Sequence, residues 1–416
     1  MSKRKNATAS EAGAHRIGSG KAQAAESAQA TRGGVEAGDD AMLARTMSPS
    51  ESSVPELEFS PQRFRRRLGA WYGENARALP WRGARDPYAI WLSEIMLQQT
   101  RVATVEGRYV EFLQRFPTIH DLATADEEDV LALWSGLGYY RRARMLHRGA
   151  QFVDREFGGK LPRTLAELRT LPGVGEYTGA AIASIAFGAS VAVLDGNVAR
   201  VLLRILGRPE EKSNKARARL LQVAQQLMPS SGRSSARENR AGDHNQAMME
   251  LGAVLCLPRS PRCTECPVRE MCKTRGEHPT GLRTRMQSRS VAYLLTVRKR
   301  GVVTEVLLEK RPTNVSLLAG MMELPPLPLP LTQGREPVLR LRHAITNTNY
   351  YVQVFSEGVK PGGEQETSLV EKVLATRAER KWVATTRLNQ QPLTGVARKT
   401  LQRLGLMAVP KVSIKS

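Results

Sequence analysis

The sequence predicts a mainly α chain followed by a smaller α+β domain. Three observations predict it. Residues 57 to about 255 carry apolar residues at helical spacing, punctuated by capping residues. Beyond residue 290 the texture changes to strand, turn, strand. Between the two lie all four cysteines of the 416-residue chain, inside the seventeen residues CLPRSPRCTECPVREMC (256–272).

A chain of this length holds two or three domains, each large enough to bury a core. Hydrophobic content of 41% and charged content of 25% are those of a globular protein and exclude a low-complexity chain. There is no run of eighteen apolar residues, so no transmembrane helix is expected. The N-terminus lacks the apolar stretch of a signal peptide, and the cysteines are not scattered. The expected compartment is therefore reducing and cytoplasmic, nucleoid-associated in a bacterium, with no membrane partner. Lys and Arg total 62 against 40 acids, a formal charge of +22 and a pI near 10.3. Such an excess suits a polyanionic partner, because each neutralised phosphate releases counterions. A solubility trait is the alternative.

Residues 1–56 are rich in Ala, Ser, Gly and Glu without sustained periodicity and read as a disordered arm. Ser60-Pro61 then places an N-cap before proline, opening a helix through FRRRLGAWYGENA. Asp86-Pro87 repeats the device before YAIWLSEIMLQQTRVATVEGRYVEFLQRF. Thr124 with Glu127 predicts a capping box ahead of DVLALW. RRARMLHRGAQFVDREFGG predicts a helix that ends in glycines. Helices continue through EYTGAAIASIAFG, NVARVLLRILG, ARARLLQVAQQLM and NQAMMELGAVLC. The boundaries expected are a helical domain over 57–275, a basic linker over 276–290, an α+β domain over 291–409 and a tail over 410–416. In the second domain VAYLLTVRKRGVVTEVLLEKRP reads strand, turn, strand. A PPLPLP segment, a strand in YYVQVFSEG and a helix in VARKTLQRLG follow. The basic segment 230–242 has no assigned role.

The cysteine spacing is C-x6-C-x2-C-x5-C, at Cys256, Cys263, Cys266 and Cys272. Two disulfides fit poorly in a reducing compartment. A four-thiolate zinc site usually shows two CxxC knuckles, and only one is present. Four thiolates in a compact loop also suit a [4Fe–4S] cluster. Spacing alone leaves zinc and iron–sulfur open.

LPGVGEYTG (171–179) lies between two helical stretches. Gly173 and Gly175 permit a tight turn that aims backbone N–H groups outward at a helix N-terminus, a seat for a phosphate. A plain helical hairpin turn is the alternative. Glu94 sits eight positions into the helix that Asp86 caps, beside Ile90, Trp91 and Leu97. A carboxyl in apolar company has the raised pKa that a general acid needs at neutral pH. An exposed glutamate on a helix boundary is the bland alternative. Asp195 follows an apolar run at a helix start in VAVLDGNVARVLLRIL, so it or Asn197 is an N-cap. A rigidly held, ionised aspartate there is also placed to stabilise a cation.

Taken in order, LPWR (79–82), DPYAIWLSEIMLQQTRV (86–102), WSGLGYYRRAR (134–144), LPGVGEYTGAAIAS (171–184), LDGNVARV (194–201), NQAMMELGAVLC (245–256) and the cysteine loop resemble the MutY-type adenine DNA glycosylases. These belong to the helix–hairpin–helix superfamily that includes endonuclease III. The resemblance is close over about 60–275 and looser over 290–405. It implies a helix–hairpin–helix glycosylase domain with an iron–sulfur loop, and a C-terminal Nudix-like α+β domain. It implies that the cysteine loop holds a structural [4Fe–4S] cluster, with Arg259, Arg262 and Arg269 as phosphate contacts. The reaction implied is base excision repair by a monomer on double-stranded DNA, hydrolysing the N-glycosidic bond of a flipped-out adenine opposite 8-oxoguanine or guanine.

By the same resemblance Glu94 protonates adenine N7 and then helps to activate water. Asp195 stabilises the oxocarbenium-like sugar. Asn197 and Tyr177 match further active-site positions, Gln99 and Tyr139 match residues that wedge into the base stack, and Arg82 lies near the adenine pocket. Tyr177 stands where endonuclease III-type enzymes carry the lyase lysine, so a monofunctional glycosylase is expected. The C-terminal domain reads 8-oxoguanine, and LLEKRPTNVSLLAGMMELP (307–325) fits its hairpin and loop without a Glu-rich metal box. The family's reading loop often has Phe-Ser-His after a histidine. Here RHAITNTNYY places Ile345, Thr346 and Asn347 there. A simple turn into a strand is the alternative. Two other functions stay in view: an endonuclease III-like enzyme for oxidised pyrimidines, and a catalytically silent DNA-binding protein.

Overall fold

A computed structural model of the chain describes residues 57–209, 213–230, 240–278, 286–315, 317–356 and 368–408. The arm 1–56, the tail 410–416 and most of segment 230–242 lie outside the described residues. Helices come first: α1 Pro61–Asn75, α2 Pro87–Leu97, α3 Val102–Arg115, α4 Ile119–Thr124, α5 Glu127–Trp134, α6 Arg141–Phe157, α7 Leu165–Leu168, α8 Glu176–Phe187, α9 Gly196–Leu206, α10 Asn214–Leu227 and α11 Arg240–Val254. The strands follow: β1 Gln287–Leu295, β2 Val297–Arg300, β3 Val303–Lys310, β4 Met322–Glu323, β5 Pro326–Leu327, β6 Leu339–Ile345, β7 Thr348–Ser356 and β8 Arg380–Ala384. Helices α12 (Leu369–Leu374) and α13 (Gly395–Arg403) complete the second region.

Several helix starts have the expected chemistry. The Ser60 hydroxyl accepts from the Arg63 amide, and Asp86 accepts from the amides of Tyr88 and Ala89, each with proline in the first turn. Helix α6 ends on Gly158 in the left-handed conformation, where glycine pays no Cβ penalty. The capping box expected at Thr124 is absent. Thr124 is the last residue of α4 and donates to the His120 carbonyl at 2.9 Å, while Asp126 precedes α5 without a side-chain cap bond. True boxes form at Thr118/Asp121 and Thr164/Glu167. The Ser/Thr-x-x-acid pattern permits either choice, and the turn geometry decides. The long helical stretch after Asp86 is also broken, over residues 98–101, with Gln99 at φ 55°.

The expected linker 276–290 is shorter on its C-terminal side, because β1 begins at Gln287. Strands β2 and β3 form the expected hairpin, pairing Arg300 with Val303. β1 belongs elsewhere. It runs parallel to β7 from Gln287↔Thr348 to Leu295↔Ser356, in a sheet ordered β5-β1-β7-β6. The second sheet is ordered β2-β3-β4, with β8 also on β3. Parallel pairing requires a long crossover, which the alternating pattern of β1 alone does not disclose.

One helical core lies under α2 to α6 around Trp91, Phe112 and Trp134. A second lies under α1 and α8 to α11 around Phe64, Leu202 and Leu251. A third fills the space between the two sheets and α13, around Val306, Val354 and Leu401. Met321, on the loop before β4, is fully buried in the first helical core and not among its own strands. Burying a side chain of that size stabilises by about 1.5–3 kcal/mol, so the α+β region is fastened to the helices by an apolar plug.

Candidate active site

Helix α2 is apolar on nearly every side, from Tyr88 to Met96, and Glu94 is buried within it at 7% exposure. The bland reading of an exposed glutamate does not hold. Tyr177, in the first turn of α8, donates its hydroxyl to Glu94 Oε2 at 3.1 Å and lies 3.2 Å from Met249 Sδ of α11. Burial raises the Glu94 carboxyl most, the Tyr177 bond lowers it, and nearby Asp195 raises it again. The net position is about 7. Burial and the same two carboxyls hold the Tyr177 phenol well above its ordinary value, so it remains a protonated donor.

Asp195 caps α9 as expected, accepting from the Val198 amide at 2.7 Å through Oδ1. Its other oxygen accepts from Asn197 Nδ2 at 3.1 Å. Asn197 in turn accepts from Arg200 at 2.8 Å, and Arg200 also donates to the carbonyls of Gly252 (2.7 Å) and Cys256 (2.8 Å). A Cβ on Gly252 would lie 2.6 Å from Asn197 Cβ, so glycine alone lets α11 approach this closely. One half-buried carboxylate and one buried, protonatable carboxyl therefore share a site. Such a pair suits proton donation beside stabilisation of a developing cation.

Arg82 is held by the residue that follows Met249 on α11. It pairs with buried Glu250 and lies 5.3 Å from the centre of the Tyr72 ring. Arg77 completes the cluster, 2.7 Å from Glu250. Burial would raise the Glu250 carboxyl, but hydrogen bonds from Arg77 and then Arg82 outweigh it and hold it at about 2.

Gln99, Tyr139, Gly173, Ile345 and Thr346 line a different feature, a cleft of about 830 Å³ between the helices and the α+β region. Glu94 and Tyr177 are not in its wall, although Ile95 and Gln98 are. Gln99 (φ 55°), Tyr139 (φ 48°) and Thr346 (φ 50°) all have the left-handed backbone that non-glycine residues rarely adopt. Strain of this kind clusters at ligand-clamping loops. The segment expected to read a base is a hairpin tip between β6 and β7, where Asn347 is exposed, is not among the residues that line the cleft, and accepts from the Gln287 amide through its carbonyl. Gly175 is the N-cap of α8, with no side-chain cap bond, and also lies outside the cleft. The amides of that first turn offer an anion seat. A Cβ on Gly173, at φ 80°, would lie 2.6 Å from Met145 Cβ, which fixes the turn as glycine.

Two contributors were not legible beforehand. Arg142 donates to the carbonyls of Ile95 (2.7 Å) and Met96 (2.9 Å), to Thr100 Oγ1 (2.9 Å) and to the carbonyls of Leu137 and Gly138. Its guanidinium also packs 5.4 Å from the Tyr139 ring centre. It thus ties the end of α2 to the loop that displays Tyr139. Gln98 donates to Thr178 Oγ1 at 3.1 Å, joining α2 to α8. A cationic residue in RRAR carries no sign of which carbonyls it will meet.

No disulfide joins the four cysteines, so the disulfide alternative fails. They line one small hollow of about 30 Å³ together with Arg204. Arg204, 3% exposed, donates to Cys256 Sγ at 3.3 Å and to the carbonyls of Leu257 (2.7 Å) and Pro258 (3.0 Å). Among the described residues no three His, Cys, Asp or Glu are gathered closely enough to hold a metal ion as they stand. Four thiolates around a hollow, with a donor on one sulfur, fit a multinuclear iron–sulfur centre. Arg259, Arg262 and Arg269 are exposed on this loop, with Arg262 paired to Glu265.

Comparison with known proteins bears on both centres. Residues 92–226 match the model of the HhH-GPD superfamily of base excision DNA repair proteins. Residues 256–272 match the iron–sulfur binding domain of endonuclease III, and the cofactor is a [4Fe–4S] cluster. Over 222 residues the chain is 48% identical to a human adenine DNA glycosylase, covering 51% of this chain and 39% of that protein. It is 40% identical to the Arabidopsis thaliana adenine DNA glycosylase over 243 residues, covering 52% and 37%. The chain therefore spans well under two thirds of the relatives' length. A thermostable thymine-DNA glycosylase structure aligns at 30% identity and TM-score 0.47, over 52% of this chain and 96% of that one.

Proposed function

From the premise that this chain belongs to the MutY type of the helix–hairpin–helix base excision repair superfamily, we propose that it is a monofunctional adenine DNA glycosylase acting on adenine opposite 8-oxoguanine or guanine in double-stranded DNA. The observation that carries the reading is Glu94: a buried carboxyl poised at about 7, held by the Tyr177 hydroxyl and near enough to Asp195 to be raised by its charge.

A flipped-out adenine leaves as a neutral base only if a ring nitrogen is protonated. Glu94 supplies that proton to N7, and general acid catalysis of this kind contributes about 10²–10⁴ in rate. Its conjugate base then helps to deprotonate the attacking water. Asp195, held by the Val198 amide and Asn197, stays oriented toward the cationic sugar. Tyr177 cannot form an imine, so strand cleavage by a Schiff base is not part of the reaction. Gln99 and Tyr139 enter the base stack from their strained loops, offsetting the few kcal/mol of unstacking. Ile345, Thr346 and Asn347 read the opposite base from a Nudix-like domain. The Gly173–Gly175 turn and Arg259, Arg262 and Arg269 seat phosphates. Cys256, Cys263, Cys266 and Cys272 hold the cluster, which supplies structural support to that basic loop.

The test is single-turnover base release from three duplexes: adenine opposite 8-oxoguanine, adenine opposite guanine, and thymine glycol opposite adenine. Release from the first without the third supports the reading. Release only from thymine glycol overturns it in favour of an oxidised-pyrimidine enzyme. Tight binding with no release from any leaves the silent-reader alternative.

A further inference from the structure

The loop that displays Tyr139 is gripped from the α+β region as well as by Arg142. Ser135 and Tyr140, which bracket it, are both buried. The Tyr140 hydroxyl donates to the Leu393 carbonyl at 2.8 Å, and the Ser135 hydroxyl reaches the same carbonyl at 3.2 Å. Arg398 of α13, 7% exposed, donates its Nε to Ser135 Oγ at 2.8 Å. Between these anchors three of the four residues have positive φ: Gly136 (φ 103°), Gly138 (φ 70°) and Tyr139 (φ 48°). Tyr139 is left 43% exposed at the cleft. The start of α13 also meets the other wall, since a Cβ on Gly395 would lie 3.1 Å from the His343 imidazole of β6.

Arg398 is costly to bury. Its Nη1 and Nη2 are buried without a hydrogen-bond partner. Arg108 lies close enough to disfavour its charge further. A guanidinium used for one bond out of five weakens the fold relative to an apolar side chain of similar length. What it provides is geometric: a fixed donor on the Ser135 hydroxyl, one of the two hydroxyls that tie the strained loop to the second region.

We propose that Arg398 is a positioning residue for Tyr139, so that the α+β region sets the geometry of the helical domain's own DNA-inserting loop as well as forming the opposite wall of the cleft. The inference rests on the glycosylase reading for its catalytic consequence, but not for its structural one.

The test compares Arg398→Met with wild type in the full chain. In the free protein, hydrogen exchange at the amides of Ser135, Leu137 and Arg142, which bond to Ala132, Trp134 and Tyr139, is expected to accelerate at least tenfold. The melting temperature is expected to hold or rise, because the unpaired nitrogens are gone. Single-turnover adenine release is expected to fall about tenfold. Arg398→Met is expected to have no further effect in a Tyr139→Ala background, as for two residues acting through one contact. Unchanged exchange in the loop overturns the proposal, as does a multiplicative loss in the double variant. A lowered melting temperature that accounts for the rate loss reduces Arg398 to a structural role and overturns it too. If wild type releases no adenine, the function falls, and the exchange experiment alone decides the clamp.

Discussion

The Tyr177 hydroxyl donates to Glu94 Oε2 across 3.1 Å, from the first turn of one helix into the apolar interior of another. That bond opposes the burial that raises the carboxyl. Tyr177→Phe removes it, so the Glu94 pKa is expected to rise above about 7. Because the protonated form is the acid, the alkaline fall of single-turnover base release should move to higher pH. A pH–rate profile of the variant checks this, and a shift to lower pH contradicts it.

Glu94→Gln should cut adenine release by at least about 10², the range of a lost general acid. It should also stabilise the protein under alkaline conditions. The folded pKa of Glu94 is raised above the unfolded value of 4.5 to about 7. Its contribution is therefore fully present below about 4.5 and lost as pH rises through 7. Glutamine does not titrate. The variant should gain up to about 3 kcal/mol over wild type above pH 7 and nothing near pH 4. Urea denaturation at the two pH values measures the difference.

Glu250 has the opposite sign. Its folded pKa is depressed to about 2, so its contribution is present above 4.5 and lost as pH falls toward 2. Glu250→Ala leaves Arg82 and Arg77 without their carboxylate, and about 3 kcal/mol should be lost at pH 7. The gap between variant and wild type should close on acidification toward pH 2, as followed by circular dichroism.

Gly173→Ala places a Cβ against Met145 at a backbone angle that L-residues avoid. A loss of about 2 kcal/mol in stability is expected. Duplex binding should weaken more than fold stability does, because the displaced turn no longer presents its amides. Fluorescence anisotropy with an undamaged duplex reads the second effect.

Metal analysis of the purified chain should give about four irons and no stoichiometric zinc. Cys263→Ser should lower the iron content and the thermal midpoint together. One zinc per chain would contradict the cluster.

Much of this architecture was legible in the sequence because its signals are local. Ser60-Pro61 and Asp86-Pro87 state where helices begin, and Ile90, Trp91 and Leu97 foretell that Glu94 is not in water. Asp195 reads as a cap and is one. The errors were also local in origin. Thr124 and Glu127 have box spacing, but the helix starts two residues too late to use it, at Glu127 with Asp126 as its N-cap. Nothing around Gln99 announces the break that puts it on display. The contacts joining the two regions were invisible for another reason: Arg398 and Ser135 are 263 positions apart, and the motif around Ser135 does not say what its hydroxyl will meet. The side chains of Arg142 and Arg204 find carbonyls whose positions only the finished fold defines.

Met321 gives the order of synthesis a physical meaning. The helical region leaves the ribosome with its second core complete, while the first still lacks the side chain that fills it. Until the chain has grown past β3 the nascent helices present an open apolar socket. A chaperone that recognises exposed hydrophobic surface has its window there, and a chain cut after the cysteine loop never closes it. Such a fragment is expected to need that help permanently, whatever chemistry its carboxyls still support.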